Sequence, residues 1–273
     1  MSGRRDRTVS VGGSSAGRSL AGDERGVSDV VGYILVFSLI TITIGTVFAV
    51  GITGVEDRRE AERIDNVERA FEVFDDNLRD IQRYGDPNRA TELRLAGGTL
   101  SVSGETRFVL ADTNDSDDVA NGTIAEWTSR PLTYRDSGTT IAYDAGALVR
   151  GDGDGSVMLS DPRFVAADNR TTIPIVGLVR GPGRERVAGE DTVQITVVED
   201  ATADSETERF GGGDPLYLWV ETEQPDAWSR YFDEADGFDN ATPGGTDGVA
   251  VAKLRHSETV YVRETVRVVS LRR

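Results

Sequence analysis

Four Asn-x-Ser/Thr triplets carry the most specific chemistry in this chain of 273 residues: Asn114-Asp115-Ser116, Asn121-Gly122-Thr123, Asn169-Arg170-Thr171 and Asn240-Ala241-Thr242. Each sets a side-chain amide two residues before a hydroxyl, which is the acceptor pattern for N-linked glycans, and all four fall in polar stretches between apolar runs. Such triplets also arise by chance, so about half are expected to be used. Carboxylates offer a second chemistry. Asp152 and Asp154 sit in Gly151-Asp152-Gly153-Asp154-Gly155, and Asp112, Asp115, Asp117 and Asp118 crowd the stretch before Val119. Neither group has the spacing of an EF-hand, so the first reads as a tight turn and the second as a solvated acidic loop rather than as calcium sites. His256 is the single histidine, which argues against metal sites built from several imidazoles and against His-based triads with a second base. There is no Gly-rich phosphate loop, nucleophile elbow or HExxH. The sequence therefore points to no active site, no metal and no cofactor. An ectoenzyme working through paired carboxylates is the remaining enzymatic alternative, and in so acidic a chain such pairs discriminate nothing.

These residues must be positioned by a chain of unusual charge. Its formal net charge is −17, and Lys253 is the only lysine, so nearly all positive charge is arginine. An acidic, lysine-poor surface suits high salt, where screening shortens the reach of self-repulsion, and a halophilic source is expected. No basic stripe is present for nucleic acid. The chain has no cysteine, so an exported domain would stand on its core without disulfides.

The organising element is Val30 to Val55, 26 consecutive residues without a charge between Asp29 and Glu56. As a helix it exceeds the roughly 30 Å hydrocarbon core of a bilayer. Its Val, Ile, Thr and Gly content would weaken a helix in water, but lipid leaves the backbone no other way to satisfy its polar groups. Before it lies a polar arm, residues 1–26, with Arg4, Arg5, Arg7, Arg18 and Arg25 against Asp6, Asp23 and Glu24. The arm is +2 and the remainder −19, which predicts a cytoplasmic arm and an extracellular bulk. Arg4-Arg5 lacks the apolar step of a twin-arginine signal.

After the span, Ile64, Val67, Phe71, Phe74, Leu78 and Ile81 recur at helical spacing, with charges on the other faces. Gly85-Asp86-Pro87 is the expected stop. With no proline between, span and stripe read as one rod of over 50 residues. Fewer than three heptads and two Phe at seam positions favour packing on a sheet over a coiled-coil dimer. From Thr91 onward short β-branched runs alternate with turns. Leu93–Leu95 and Leu100–Val102 read as a hairpin about Gly97-Gly98. Further strands are expected at Arg107–Leu110, Thr123–Trp127, Thr139–Tyr143, Leu148–Val149, Ser156–Leu159, Ile173–Val179, Thr192–Val198, Leu216–Glu221, Val249–Leu254 and Thr259–Val269, as in an antiparallel sandwich or curled sheet. Asp226 to Glu234, with Ala227, Trp228, Tyr231 and Phe232 apolar, reads as a short amphipathic helix. The fold class is α+β: a long hydrophobic then amphipathic helix followed by an antiparallel β-rich domain.

The approach to the span, Gly26-Val27-Ser28-Asp29-Val30-Val31-Gly32 after Asp23-Glu24-Arg25, resembles the class III signal of archaeal type IV pilins and archaellins. It is most similar to the opening of haloarchaeal pilin-like secreted or cell-surface glycoproteins. A secretory signal instead puts its cleavage site after an apolar region about half this length. The resemblance implies that a prepilin peptidase cuts between Gly26 and Val27 and leaves the hydrophobic helix on the mature protein. This chain has Asp29 where many archaeal pilins have Pro, and Val31 where bacterial pilins carry a Glu that pairs subunits. Weaker likeness extends through Tyr143–Pro162 and Trp228–Phe232. What the resemblance implies is a leader at 1–26, a helical rod at 27–85 and an extracellular β-rich domain at 86–273. Its partners would be the lipid membrane, the peptidase and other pilin-like subunits, with no nucleic acid. The expected function is that of a type IV pilin-like structural subunit or membrane-anchored cell-surface glycoprotein. The alternative is a solitary anchored extracellular domain that binds a sugar, ion or protein and stays out of filaments.

Overall fold

A computed structural model describes residues 24–84, 88–95, 97–153, 155–167, 169–199, 207–211, 215–243 and 247–273, with the backbone alone at 24–28 and 53–57. Helix α1 runs Glu24–Tyr84. The chain divides into two compact units whose boundary falls inside this helix, between Glu60 and Ala61. Asp86 and Pro87 lie outside the described residues, as does Gly85, so the expected stop is seen only as the end of α1 at Tyr84.

In the second unit the residues after α1 form strands β1 (Asn88–Arg94), β2 (Thr99–Val102) and β3 (Thr106–Ala111), helix α2 (Val119–Gly122), and strands β4 (Thr123–Ser129), β5 (Leu132–Asp136), β6 (Thr139–Asp144), β7 (Ala147–Asp152), β8 (Gly155–Ser160), β9 (Val165–Ala167) and β10 (Arg170–Arg180). There follow β11 (Arg186–Ala188), β12 (Thr192–Glu199), β13 (Thr207–Phe210), β14 (Tyr217–Glu221), helix α3 (Pro225–Glu234), β15 (Phe238–Asn240), β16 (Val249–Leu254) and β17 (Thr259–Arg272). They build three sheets, more than a two-layer sandwich has: β1-β12-β17-β10-β9 with β13 also on β17, then β11-β2-β5-β6-β7-β8, then β15-β16-β14-β3-β4.

Strand β17 is the spine of the first sheet. Its Val260, Val262, Val269 and Leu271 alternate inward along 14 residues, a pattern that suits a pleated, half-buried surface. One edge takes β13 at Val260–Arg263 and then β12 at Arg267–Arg272, both antiparallel. The other edge takes β10 in parallel, from Arg170↔Thr259 to Arg180↔Val269. This pair departs from the expected antiparallel arrangement, and the chain between the two strands supplies the long crossover a parallel pair requires.

The amphipathic stripe packs as its spacing predicts. Ile64, Val67, Phe71, Phe74, Leu78 and Ile81 are all buried, against Leu93, Val193, Ile195 and Val269 of the first sheet and Leu100, Tyr134, Ile141 and Tyr143 of the second. Phe74 meets Tyr143 edge-on at 5.3 Å. A polar clasp joins the helix to β8: Asp75, itself buried, pairs with Arg79 and accepts 3.0 Å hydrogen bonds from Arg79 Nε and Ser160 Oγ.

A second core lies among all three sheets and α3. Ala227, Trp228, Tyr231 and Phe232 of α3 face it, the four apolar positions read from the sequence. Pro225 opens the helix, where a missing N–H costs nothing. The Ala227 N–H, without an intrahelical acceptor, donates to Ser156 Oγ at 2.9 Å.

The expected hairpin at Leu93–Val102 does not form. β1 pairs with β12 and β2 pairs with β5 and β11, in different sheets. Gly97 and Gly98 carry the chain from one sheet to the next at φ +113° and +65°, and a Cβ on Gly98 would stand 2.6 Å from the Tyr134 ring. Gly98 is required by that close approach and Gly97 by its positive φ, rather than by a two-residue turn.

Truncation of the stripe tests this packing. Phe74→Ala is expected to destabilise the β-rich unit by about 3–5 kcal/mol, and Val73→Ala, on the exposed side of α1, by under about 0.5 kcal/mol. Denaturant unfolding of the full chain in detergent micelles, followed by near-UV circular dichroism, measures both.

Candidate functional site

The first unit presents one uncovered apolar surface. Asp29–Ile52 is a 24-residue helical stretch of mean hydropathy 2.3, long and apolar enough to cross a membrane, and none of it is buried by the chain. Its large side chains stand open on every face, from Tyr33 and Leu35 to Val47 and Phe48. Its three threonines satisfy their hydroxyls within the helix. Thr41, Thr43 and Thr46 donate their hydroxyls at 2.8 Å to the carbonyls of Phe37, Leu39 and Ile42, four residues back. A hydrophobic medium demands that arrangement, because it offers a hydroxyl no other acceptor. A Cβ on Gly32, Gly45 or Gly51 would meet nothing within 4 Å among the described residues, so these glycines answer to no contact there.

The Gly26–Val27 bond lies in the first turn of α1. The polar arm before Glu24 lies outside the described residues.

The four Asn-x-Ser/Thr triplets fall on the β-rich unit in different environments. Asn114 and Ser116 are both exposed, in the loop between β3 and α2. Asn121 is exposed in α2, with its amide donated to Asp118 at 2.8 Å and the Thr123 hydroxyl donated to the Val119 carbonyl at 2.7 Å. Asn169 is exposed at φ +62°, but Thr171 is fully buried and its hydroxyl donates to the His256 carbonyl at 2.8 Å. Asn240 is half-buried. Its Oδ1 accepts from both the N–H and the hydroxyl of Thr242, and its amide donates to Asp233 at 3.1 Å.

The acidic groups do not converge. Asp152 closes the β7–β8 hairpin, taking hydrogen bonds from Thr139 and Arg150; Asp154 lies outside the described residues. Asp112, Asp115, Asp117 and Asp118 share one exposed loop, where Asp115 accepts from the Asp117 N–H and Asp118 from Asn121. Among the described residues no group of three or more His, Cys, Asp or Glu is placed to hold a metal. His256 is half-exposed and contributes its carbonyl to the fold.

A different carboxylate stands out. Alternation along β6 sends Ile141 and Tyr143 to the helix side and Thr140, Ala142 and Asp144 to the opposite side. Asp144 is 4% exposed. Its Oδ2 accepts a 2.5 Å hydrogen bond from Thr106 of β3, with the Thr222 hydroxyl at 3.5 Å, the limit of such a bond. Its Oδ1 is buried without a hydrogen-bond partner among the described residues. Burial pushes the carboxyl up to about 7 against the hydroxyls of Thr106 and Thr222, and the negative charge of Glu223 adds to the rise. Asp144 is not singled out by the sequence. The only signal was its place at the end of a strand pattern, before Ala145-Gly146, and nothing local says that such a residue is buried.

A family of unknown function, DUF7289, matches residues 25–269, which takes in the apolar helix and nearly all of the β-rich unit. The chain belongs to the DUF7289 family. A relative in Archaeoglobus fulgidus, described as an uncharacterised protein, is 21% identical over 270 residues, covering 80% of this chain and 86% of its own. No solved structure matches.

Two outcomes follow for this DUF7289 member. Glycopeptide mass spectrometry of the native protein is expected to find Asn114 the most fully modified acceptor and Asn240 the least, since only the former presents amide and hydroxyl together. Asp144 also sets a pH dependence. A carboxyl whose folded pKa exceeds its unfolded value stabilises below the unfolded value, near 3.8, and that contribution is lost as pH rises through about 7. In buffers whose cations are too large to enter the fold, unfolding free energy should fall by up to roughly 4 kcal/mol between pH 4 and pH 8, and Asp144→Asn should flatten the curve.

Proposed function

We propose that this DUF7289 chain is a type IV pilin-like structural subunit or a membrane-anchored cell-surface glycoprotein, cut by a prepilin peptidase between Gly26 and Val27. The observation that carries the reading is the uncovered stretch Asp29–Ile52, apolar on all faces with its threonine hydroxyls satisfied inside the helix. Such a surface needs lipid or other apolar helices around it. Gly32, Gly45 and Gly51, open on the helix surface, allow close approach of a neighbouring helix. Continuation of the same helix into a stripe buried by a β-rich unit fits a pilin-like plan. The family match begins at Arg25, two residues before the proposed cut. In this reading the β-rich unit lies outside the cell. It carries N-glycans on its exposed acceptors, and its acidic, lysine-poor surface is solvated by high salt. It works through assembly rather than catalysis, without a cofactor or nucleic acid.

The second reading is a solitary anchored domain. The observation in its favour is the absence of any acidic residue from Val30 to Val55, which leaves no charge inside the span to pair with a neighbouring subunit.

The mature N-terminus tests processing. Mass spectrometry is expected to find Val27 in cells with the prepilin peptidase and the uncut form, 26 residues longer, in cells without it. An unchanged size in both removes the processing claim. A protein that is cut yet never enters the sheared filament fraction is the solitary domain.

A further inference from the structure

We propose that the cleft beside Asp144 binds one dehydrated monovalent cation, of the size of sodium, which clamps the second sheet to the third. The cleft has about 10 Å³ of free space, near the least that admits a single water-sized guest. Thr106, Thr133, Thr140 and Thr222 line it with Asp144, and the Thr106 and Thr222 hydroxyls lie 2.5 and 3.5 Å from the carboxylate, so hard, uncharged oxygens stand beside one buried anion. The elements that bring them together are β3 of the third sheet, β5 and β6 of the second, and the residue after β14.

Two features favour a cation over a water molecule. Oδ1 of Asp144 is buried without a hydrogen-bond partner among the described residues in either protonation state: ionised it lacks a donor, protonated it lacks an acceptor. No Arg, Lys or His lines the cleft, whereas Glu105 and Glu223 do, and Glu223 is held there by its ion pair with Arg135. A buried carboxylate is costly unless it is neutralised or paired, and here the pairing charge must come from outside the chain. The charge count selects a monovalent ion. Asp144 is the one buried carboxylate lining the cleft, since Glu105 is exposed and the exposed Glu223 is paired with Arg135, and one buried anion balances one positive charge.

The test compares the full chain in detergent micelles at pH 8 and constant ionic strength, in sodium chloride and in choline chloride, whose cation cannot enter. The Tm of the unmodified protein is expected to be about 5 °C higher in sodium, with Asp144→Asn melting at one temperature in both salts. Equal Tm values for the unmodified protein overturn the proposal, as does a difference that persists in Asp144→Asn. Where that variant does not fold, the ¹³C carboxyl resonance of Asp144 in the unmodified protein decides. A saturable shift on adding sodium at fixed pH supports the ion, and a resonance indifferent to sodium overturns it.

Discussion

One helix has to satisfy two different surroundings, and that demand sets the rest of the structure. From Asp29 to Ile52 the helix is apolar on every face and none of it is buried. From Ile64 to Ile81 it is apolar along a single stripe, and that stripe is buried. The backbone bonds are the same in both stretches, because each N–H finds its acceptor four residues back whatever lies outside. What changes is where the apolar area goes. The first stretch requires apolar surroundings that the chain does not supply, and the second receives them from two sheets.

The sheets are arranged to supply that cover. Leu93, Val193, Ile195 and Val269 present one wall to the stripe, and Leu100, Tyr134, Ile141 and Tyr143 present another. Strand β17 serves both cores, since its length lets Val260 and Val262 face the α3 side while Val269 and Leu271 face α1. A strand of 14 residues is long enough to twist from one environment to the other. The aromatic set around Trp228, with Phe108 at 5.5 Å and Phe232 at 5.9 Å, fills the second core with large rigid side chains.

What the sequence made legible is what local periodicity encodes. The intervals among Ile64, Val67, Phe71, Phe74, Leu78 and Ile81 specify a buried helical face without reference to the partner, and Ala227, Trp228, Tyr231 and Phe232 do the same for α3. Twelve strand segments follow from their β-branched runs, though not β5, Leu132–Asp136. The strands β9, β11, β13 and β15, of three or four residues each, have too few alternations to register. Pairing was illegible for a further reason. A Gly-Gly between two apolar runs has the local signature of a hairpin, and only the distant Tyr134 ring explains why Gly98 serves a sheet-to-sheet crossing instead. The parallel partnership of β10 and β17 joins residues 89 apart in register, beyond any local pattern. Asp144 is hidden by the same logic, since its burial depends on Thr106 and Thr222, 38 and 78 residues away.

Asp75 and Asp144 show two treatments of a buried carboxylate in a chain rich in them. Both are 4% exposed, and burial raises both above the ordinary aspartate range. Asp75 has Arg79 one turn away on its own helix and Ser160 opposite, so its charge is compensated by a cation whose position the helix itself fixes. Asp144 sits at the end of a strand, where neighbours in sequence point to the other face and no arginine is delivered. Its compensation falls to threonine hydroxyls, which provide hydrogen bonds without charge. With arginine supplying nearly all the positive charge of a chain at −17, a buried acid off the helices is left to neutralise itself by proton or by ion. That choice couples the join between the second and third sheets to the solution outside.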